Sequence, residues 1–203
     1  MLVFITPISL IRAEAVAHTR SLLRPSTLEM PAYHSTLNEL QSQEACGCAI
    51  LPIKTRARGP APPAPEGQDD IVDEILTLFR ANVLFTNFEI KGNADRVLIY
   101  GTLFVHLCLK KLDRCTNKAD ATRILQQTAV DSFAIPGDSS FPLGGLVRAP
   151  SSANEAETIR GFFKQLREAI AFRLVDEVFP NGEKSKWWMF FAKRKFMNKE
   201  LSR

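Results

Sequence analysis

Two tryptophans and three phenylalanines sit among seven cations at the end of this chain, a combination suited to binding rather than bond making. Trp187 and Trp188 are adjacent, and Phe190, Phe191 and Phe196 follow. Lys184, Lys186, Lys193, Arg194, Lys195, Lys199 and Arg203 are interleaved with them and opposed by Glu200 alone, so residues 184–203 carry a net +6. The whole chain is only +4, which leaves −2 for residues 1–183. The basic character therefore belongs to one end. Tryptophan and arginine are the residue types that dominate binding hot spots.

Groups that make or break bonds are scarce. Cys46-Gly47-Cys48 has no second cysteine pair and no histidine spacing of the kind zinc requires, and isolated cysteines behave as small buried hydrophobes. Four cysteines in 203 residues do not make a disulfide framework, so a reduced, cytoplasmic chain is expected. His106 has no carboxylate three or four positions away to orient it, and is read as a core or boundary residue. Gly144-Gly145 lacks the Lys-Ser/Thr ending of a phosphate loop. Neither an enzyme, a cofactor nor a metal is expected.

Hydrophobic content of 45% and charged content of 24% are ordinary globular values. Residues 1–29 are expected to be a leader or extension. Nothing basic precedes Leu2, as a secretory signal would require, and Glu14 and Glu29 weaken a mitochondrial reading. Met30-Pro31-Ala32 is the expected alternative start. No apolar run elsewhere reaches the length of about 20 residues that spans a bilayer. Residues 30–68 form an expected extended arm, rich in proline at 52, 60, 62, 63 and 65. Two PxxP spacings occur there, Pro60 to Pro63 and Pro62 to Pro65.

Residues 69–203 read as a helical domain. Asp69 and Asp70 offer caps to a helix carrying Ile71, Ile75, Leu78 and Phe79, expected to run to about Phe88. Asn93 is the expected cap of a second helix, apolar all round from Val97 to Leu109, too short to span a membrane and so surrounded by its neighbours. Gly101 within it costs about 1 kcal/mol against alanine unless it permits a close crossing. A third helix is expected from Lys118 to about Val130. Ser152 and Glu155 form an expected capping box for the longest helix, whose stripe is Ile159, Phe162, Phe163, Leu166, Ile170, Leu174 and Val178. Arg160, Lys164, Arg167, Glu168, Arg173 and Glu177 mostly fall on its solvated face. No run shows sustained strand alternation. The expected fold is all-α: a compact bundle of about five helices, one central helix surrounded by the others, preceded by the Pro-rich arm.

Three readings compete for residues 184–203. Cations and aromatics suit nucleic acid, but the rest of the chain supplies no basic face. A basic amphipathic segment also suits an anionic membrane surface. In the third reading, placed on a helix, Trp187, Trp188, Phe191 and Phe196 complete the core. Lys184, Lys186, Lys193, Arg194, Lys195 and Lys199 then form a basic rim for a protein neighbour.

The segment Ser185-Lys186-Trp187-Trp188, followed by Phe191-Ala192-Lys193-Arg194-Lys195-Phe196-Met197-Asn198, resembles the C-terminal signature of one family. It is that of the 21 kDa subunit (subunit 3) of the actin-related protein 2/3 complex. Met30-Pro31-Ala32-Tyr33-His34-Ser35, Asp70-Ile71-Val72-Asp73-Glu74, Phe79-Arg80-Ala81-Asn82-Val83, Leu109-Lys110-Lys111-Leu112 and Ile135-Pro136-Gly137 fit in order. The resemblance covers residues 30–201. It implies a small all-α fold and a non-catalytic role in a seven-subunit hetero-oligomer that nucleates branched actin filaments. It further implies contact with actin-related protein 3 near the branch junction, an actin filament met through the complex, and a place in the cytoskeleton. Neither nucleic acid nor membrane is an implied partner. Gly101 and His106 depart from what the resemblance implies for the central helix, and residues 1–29 have no counterpart. The competing reading is a free-standing helical adaptor whose basic tail binds nucleic acid or an anionic membrane surface.

Overall fold

The computed structural model describes residues 32–201. The expectations for residues 1–29, for a start at Met30-Pro31 and for Arg203 fall outside that range. The described residues are mostly helical, with α1 (Ile71–Asn82), α2 (Asn93–Leu112), α3 (Lys118–Val130), α4 (Ala153–Val178) and α5 (Lys186–Phe190). One hairpin of two-residue strands, β1 (Glu44–Ala45) and β2 (Cys48–Ala49), precedes them, with Glu44 opposite Ala49 and Ala45 opposite Cys48. Its turn places both Cys46 and Gly47 at positive φ, 55° and 80°. Strands this short leave no alternation to read, which is why the hairpin was not expected.

α1 begins as its residues dictate. The Asp70 carboxylate accepts from the Val72 and Asp73 N–H groups, while Asp73 accepts from the Asp70 N–H, a complete capping box. Ile71, Ile75 and Phe79 are buried. The helix stops at Asn82, well short of Phe88. Asn82 is fully buried and exchanges two hydrogen bonds with the Tyr33 backbone, accepting at 3.0 Å and donating at 2.8 Å. A contact 49 residues away helps hold the end of the helix.

α2 packs against α1, α3, α4, β2 and the 3-10 turns at Thr36–Glu39 and Phe191–Lys193. Its residues from Val97 to Val105 are all buried, so polar covering is absent on every side. Gly101 faces α1 so closely that a Cβ there would lie 2.3 Å from Ile75 Cδ1. A Cβ at 101 would therefore force the Ile75 side chain to move, and glycine lets it pack where it does. The cap is Gly92, not the expected Asn93, and it makes no side-chain bond. Asn93 instead bonds Glu44 and Arg96.

Asp95, in the first turn of α2, is 0% exposed and fastens the preceding chain. It accepts from His34 Nδ1 at 2.8 Å, Ser35 N at 2.9 Å, Asn38 Nδ2 at 2.9 Å and Lys91 N at 2.9 Å. Burial alone would raise its carboxyl, but these donors outweigh burial and hold it below the ordinary value. Asp70 behaves alike: burial opposes ionisation, while Arg173 and the Lys54 and Asp73 N–H groups favour it and win. An unfolded aspartate titrates near about 3.9, so this stability is present above that pH and is lost as pH falls through the lower folded values. Urea midpoints should therefore fall steeply between about pH 5 and about pH 3. Asp95→Asn should lower the neutral-pH midpoint and flatten the acid limb. An unchanged limb would remove Asp95 from the acid response.

α4 buries its whole predicted stripe, from Ile159 to Val178. Its start is half of the expected box. Ser152 accepts from the Glu155 N–H at 3.1 Å, but the Glu155 carboxylate turns away to the Ser151 N–H and hydroxyl, both at 2.6 Å, and to the Cys46 N–H at 2.7 Å. The Ser151 hydroxyl, then the Cys46 and Ser151 N–H groups, hold its pKa down to about 2. Glu155 thereby ties the hairpin to the helix. Gln165, also on α4, receives the Ala61 N–H at 2.8 Å and donates to the Ala57 carbonyl at 2.9 Å. Arg167 was expected in solvent and is 1% exposed instead.

Candidate protein-docking surface

The groups that suggested bond chemistry turn inward. Cys46, Cys48, Cys108 and Cys115 are free and buried. Burial pushes the Cys46 thiol up to about 11 and those of Cys48 and Cys108 up to about 12, so they stay protonated near neutrality. Among the described residues no group of three His, Cys, Asp or Glu could hold a metal, and no helix is long and apolar enough to cross a membrane. His106 is buried, its Nε2 donating to the Ala192 carbonyl at 3.2 Å, and burial depresses its pKa first of all. That bond fastens the C-terminal segment to α2.

The segment itself is not one helix. α5 lasts five residues, a 3-10 turn follows at Phe191–Lys193, and another at Phe196–Asn198 contains Met197 and Asn198 at φ 52° and 53°. The expected single amphipathic side is accordingly broken. Trp188 is 6% exposed and stacks on Phe79 at 5.7 Å, and Phe196 is buried edge-on against Phe88 at 5.8 Å. Phe191 is half-buried, meeting Phe79 edge-on at 6.3 Å. Trp187 corrects the expectation: it is 77% exposed and belongs to no core. Consecutive residues on a helix diverge by about 100°, so only one of the two tryptophans can face α1.

Phe190 is 59% exposed and three residues from Trp187, so the two share a face of α5. Arg194 lies over the Phe190 ring at 5.1 Å. Phe190 was read from sequence as part of the terminal aromatic cluster but was assigned to neither the core nor the rim, although its spacing from Trp187 placed the two on one face.

The six predicted rim cations divide by use. Lys184 Nζ donates to the carbonyls of Leu112 at 3.0 Å and Asp113 at 2.8 Å, capping the end of α2. Lys199 Nζ donates to the Pro142 carbonyl at 3.0 Å. Lys195 pairs with Glu200 at 3.1 Å, which also takes Lys110 at 2.9 Å. Lys186, Lys193 and Arg194 are exposed and form no ion pair among the described residues. Five exposed side chains thus remain: two large aromatics on one helical face and three cations uncommitted to any acid. That arrangement can dock against an apolar surface bearing carboxylates. It offers no nucleophile, proton-transfer pair or phosphate cradle.

Residues 30–201 match the profile of P21-Arc, the ARP2/3 complex ARPC3 (21 kDa) subunit. The chain belongs to the P21-Arc family. Actin-related protein 2/3 complex subunit 3 of Schizosaccharomyces pombe is 49% identical over 175 residues, spanning 85% of this chain and 100% of that protein. The subunit of the same name from Dictyostelium discoideum is 47% identical over 177 residues, 83% of this chain and 99% of its own length. That of Arabidopsis thaliana is 45% identical over 168 residues, 82% and 97%. Within P21-Arc the matched range takes in all five helices, the hairpin and the exposed aromatic-cation face.

Proposed function

We propose that this chain is a non-catalytic structural subunit of the seven-subunit actin-related protein 2/3 complex, which nucleates branched actin filaments. It contacts actin-related protein 3, helps stabilise the branch junction, meets the actin filament through the complex, and resides in the cytoplasm on the cytoskeleton. The observation that carries this reading is 49% identity across the full length of the S. pombe subunit. Residues 69–203 serve as the helical domain and 30–68 as a Pro-rich arm held against it. The Gln165 bonds to Ala57 and Ala61 hold the proline-rich stretch against α4, and Ile50, Leu51 and Ile53 are buried in the same core as the helices. Docking runs through Trp187 and Phe190, with Lys186, Lys193 and Arg194 placed for carboxylates of the neighbour.

The adaptor reading loses ground for a specific reason. Lys184 and Lys199 are spent on backbone carbonyls and Lys195 on Glu200, which leaves few cations for phosphates. The test is tagged purification from cells, with co-migration at the mass of a multi-subunit assembly expected. Truncating an interface hot spot costs about 2 kcal/mol or more, roughly 30-fold in affinity. Trp187→Ala combined with Glu at 186, 193 and 194 should reach that loss of incorporation with unchanged helicity by circular dichroism. A small species released from RNA or lipid by salt would overturn the proposal, as would normal incorporation of the variant.

A further inference from the structure

A second exposed apolar surface lies away from the residues just described. A groove of about 730 Å3 opens between the C-terminal half of α3, the middle of α4 and residues 54–57. Its floor is small: Ala129 and Ala169 are buried alanines, which lets a backbone approach closely. Large apolar groups stand at its edges, Phe172 at 71% exposure and Val130 at 54%. Neither belongs to the α4 stripe or to a packed helix contact that would explain it. Such side chains grouped around a groove mark an interaction site.

The charges around it select an occupant. Lys54 and Arg173 line the groove but are already held, by Asp73 at 2.7 Å and by Asp70 at 2.6 Å. Arg56 and Glu168 also line the groove, and neither forms an ion pair among the described residues. The lining therefore carries one unpaired charge of each sign. Uniformly apolar or single-sign ligands leave one of them unmatched, whereas an amphipathic helix with both signs flanking an apolar row satisfies both.

We propose that this groove seats an amphipathic helix of a neighbouring subunit, acidic toward Arg56, basic toward Glu168, and apolar against Phe172 and Val130. The inference rests on the assembly reading above and extends it: the subunit grips the complex at two surfaces, α5 and the α3–α4 groove.

The experiment uses the assembled complex. Gln126 lines the groove and is exposed, so Gln126→Cys places a thiol there without removing an apolar edge. Labelling is read on this chain alone by mass spectrometry, where the four native thiols are buried and the introduced one dominates. In the complex it should label at least about tenfold more slowly than Glu157→Cys, an exposed α4 control. Arg56→Lys should in parallel give a zero-length carbodiimide cross-link to a carboxylate of a different subunit. Co-purification with equally fast labelling of both thiols overturns the groove proposal alone. A cross-link between two copies of this chain also overturns it. Failure of the chain to co-purify with any complex overturns the assembly reading and the groove proposal together.

Discussion

Trp188→Ala should lower the unfolding free energy by about 3–5 kcal/mol, whereas Trp187→Ala should leave it within about 0.5 kcal/mol. The residues are adjacent and chemically identical, so any difference comes from position. Trp188 is 6% exposed, lies nearly parallel to Phe79 at 16°, and has the Arg80 guanidinium 5.9 Å from its ring. Removing the indole leaves a cavity beside Phe79, itself fully buried, and withdraws the stacking surface that seats α5 on α1. Phe191 also leans edge-on against Phe79 at 6.3 Å, so the loss should propagate into the turn that follows α5. Trp187 is 77% exposed and has no such lining to lose. Urea unfolding followed by far-ultraviolet circular dichroism measures both variants without depending on indole fluorescence. Equal midpoints would show that Trp188 contributes no packing energy. A drop for Trp187→Ala would mean that the exposed ring supports the fold instead of a neighbour.

The tryptophan pair also shows where the sequence could be read and where it could not. Apolar spacing is a local property, and it was reliable wherever a helix ran for several turns. Every residue of the α4 stripe is buried, and the Asp70 cap and the all-round apolar α2 were equally legible. The end of α1 was not, because Asn82 is engaged by Tyr33, far away in sequence. The C-terminal segment was misread as one helix because the left-handed backbone at Met197 and Asn198 has no glycine to announce it. Its geometry comes from tertiary ties: Met197 N to the Phe85 carbonyl at 2.9 Å, and Lys199 to Pro142. The same cause divided the rim cations. Lysine is drawn to unpaired carbonyls at helix ends, and nothing near Lys184 in sequence reveals that the end of α2 lies beside it. The exposed aromatic-cation face was legible in residue type, but not in which of its members would be left free.

Arg167→Ala should cost as much as Trp188→Ala, about 3–5 kcal/mol, although its place between exposed charges in sequence predicts almost nothing. The guanidinium is 1% exposed and has no carboxylate partner among the described residues. Its Nη2 donates to the Thr128 carbonyl at 2.6 Å and its Nε to the Ala129 carbonyl at 3.2 Å. Both carbonyls belong to the last turn of α3, where no intrahelical donor remains and the helix dipole is negative. The rings of Phe104 and Phe133 lie 4.5 and 4.4 Å from the guanidinium carbon and offer electron-rich faces. Helix end and rings together replace the missing anion. Alanine removes all of this at once, leaving two buried acceptors bare at about 1–3 kcal/mol each and a cavity between the rings. Methionine bares the same two acceptors but keeps length and ring contact and leaves no cavity, so Arg167→Met should cost about 1–2 kcal/mol less than alanine. Lysine keeps the charge but lacks the planar fork that reaches two carbonyls, so it should fall between them. Amide exchange in the last turn of α3 should accelerate in the same order as the midpoints fall. Equal losses for alanine and methionine would assign the whole effect to the hydrogen bonds and none to packing. Unchanged exchange in α3 would show that Arg167 does not cap that helix.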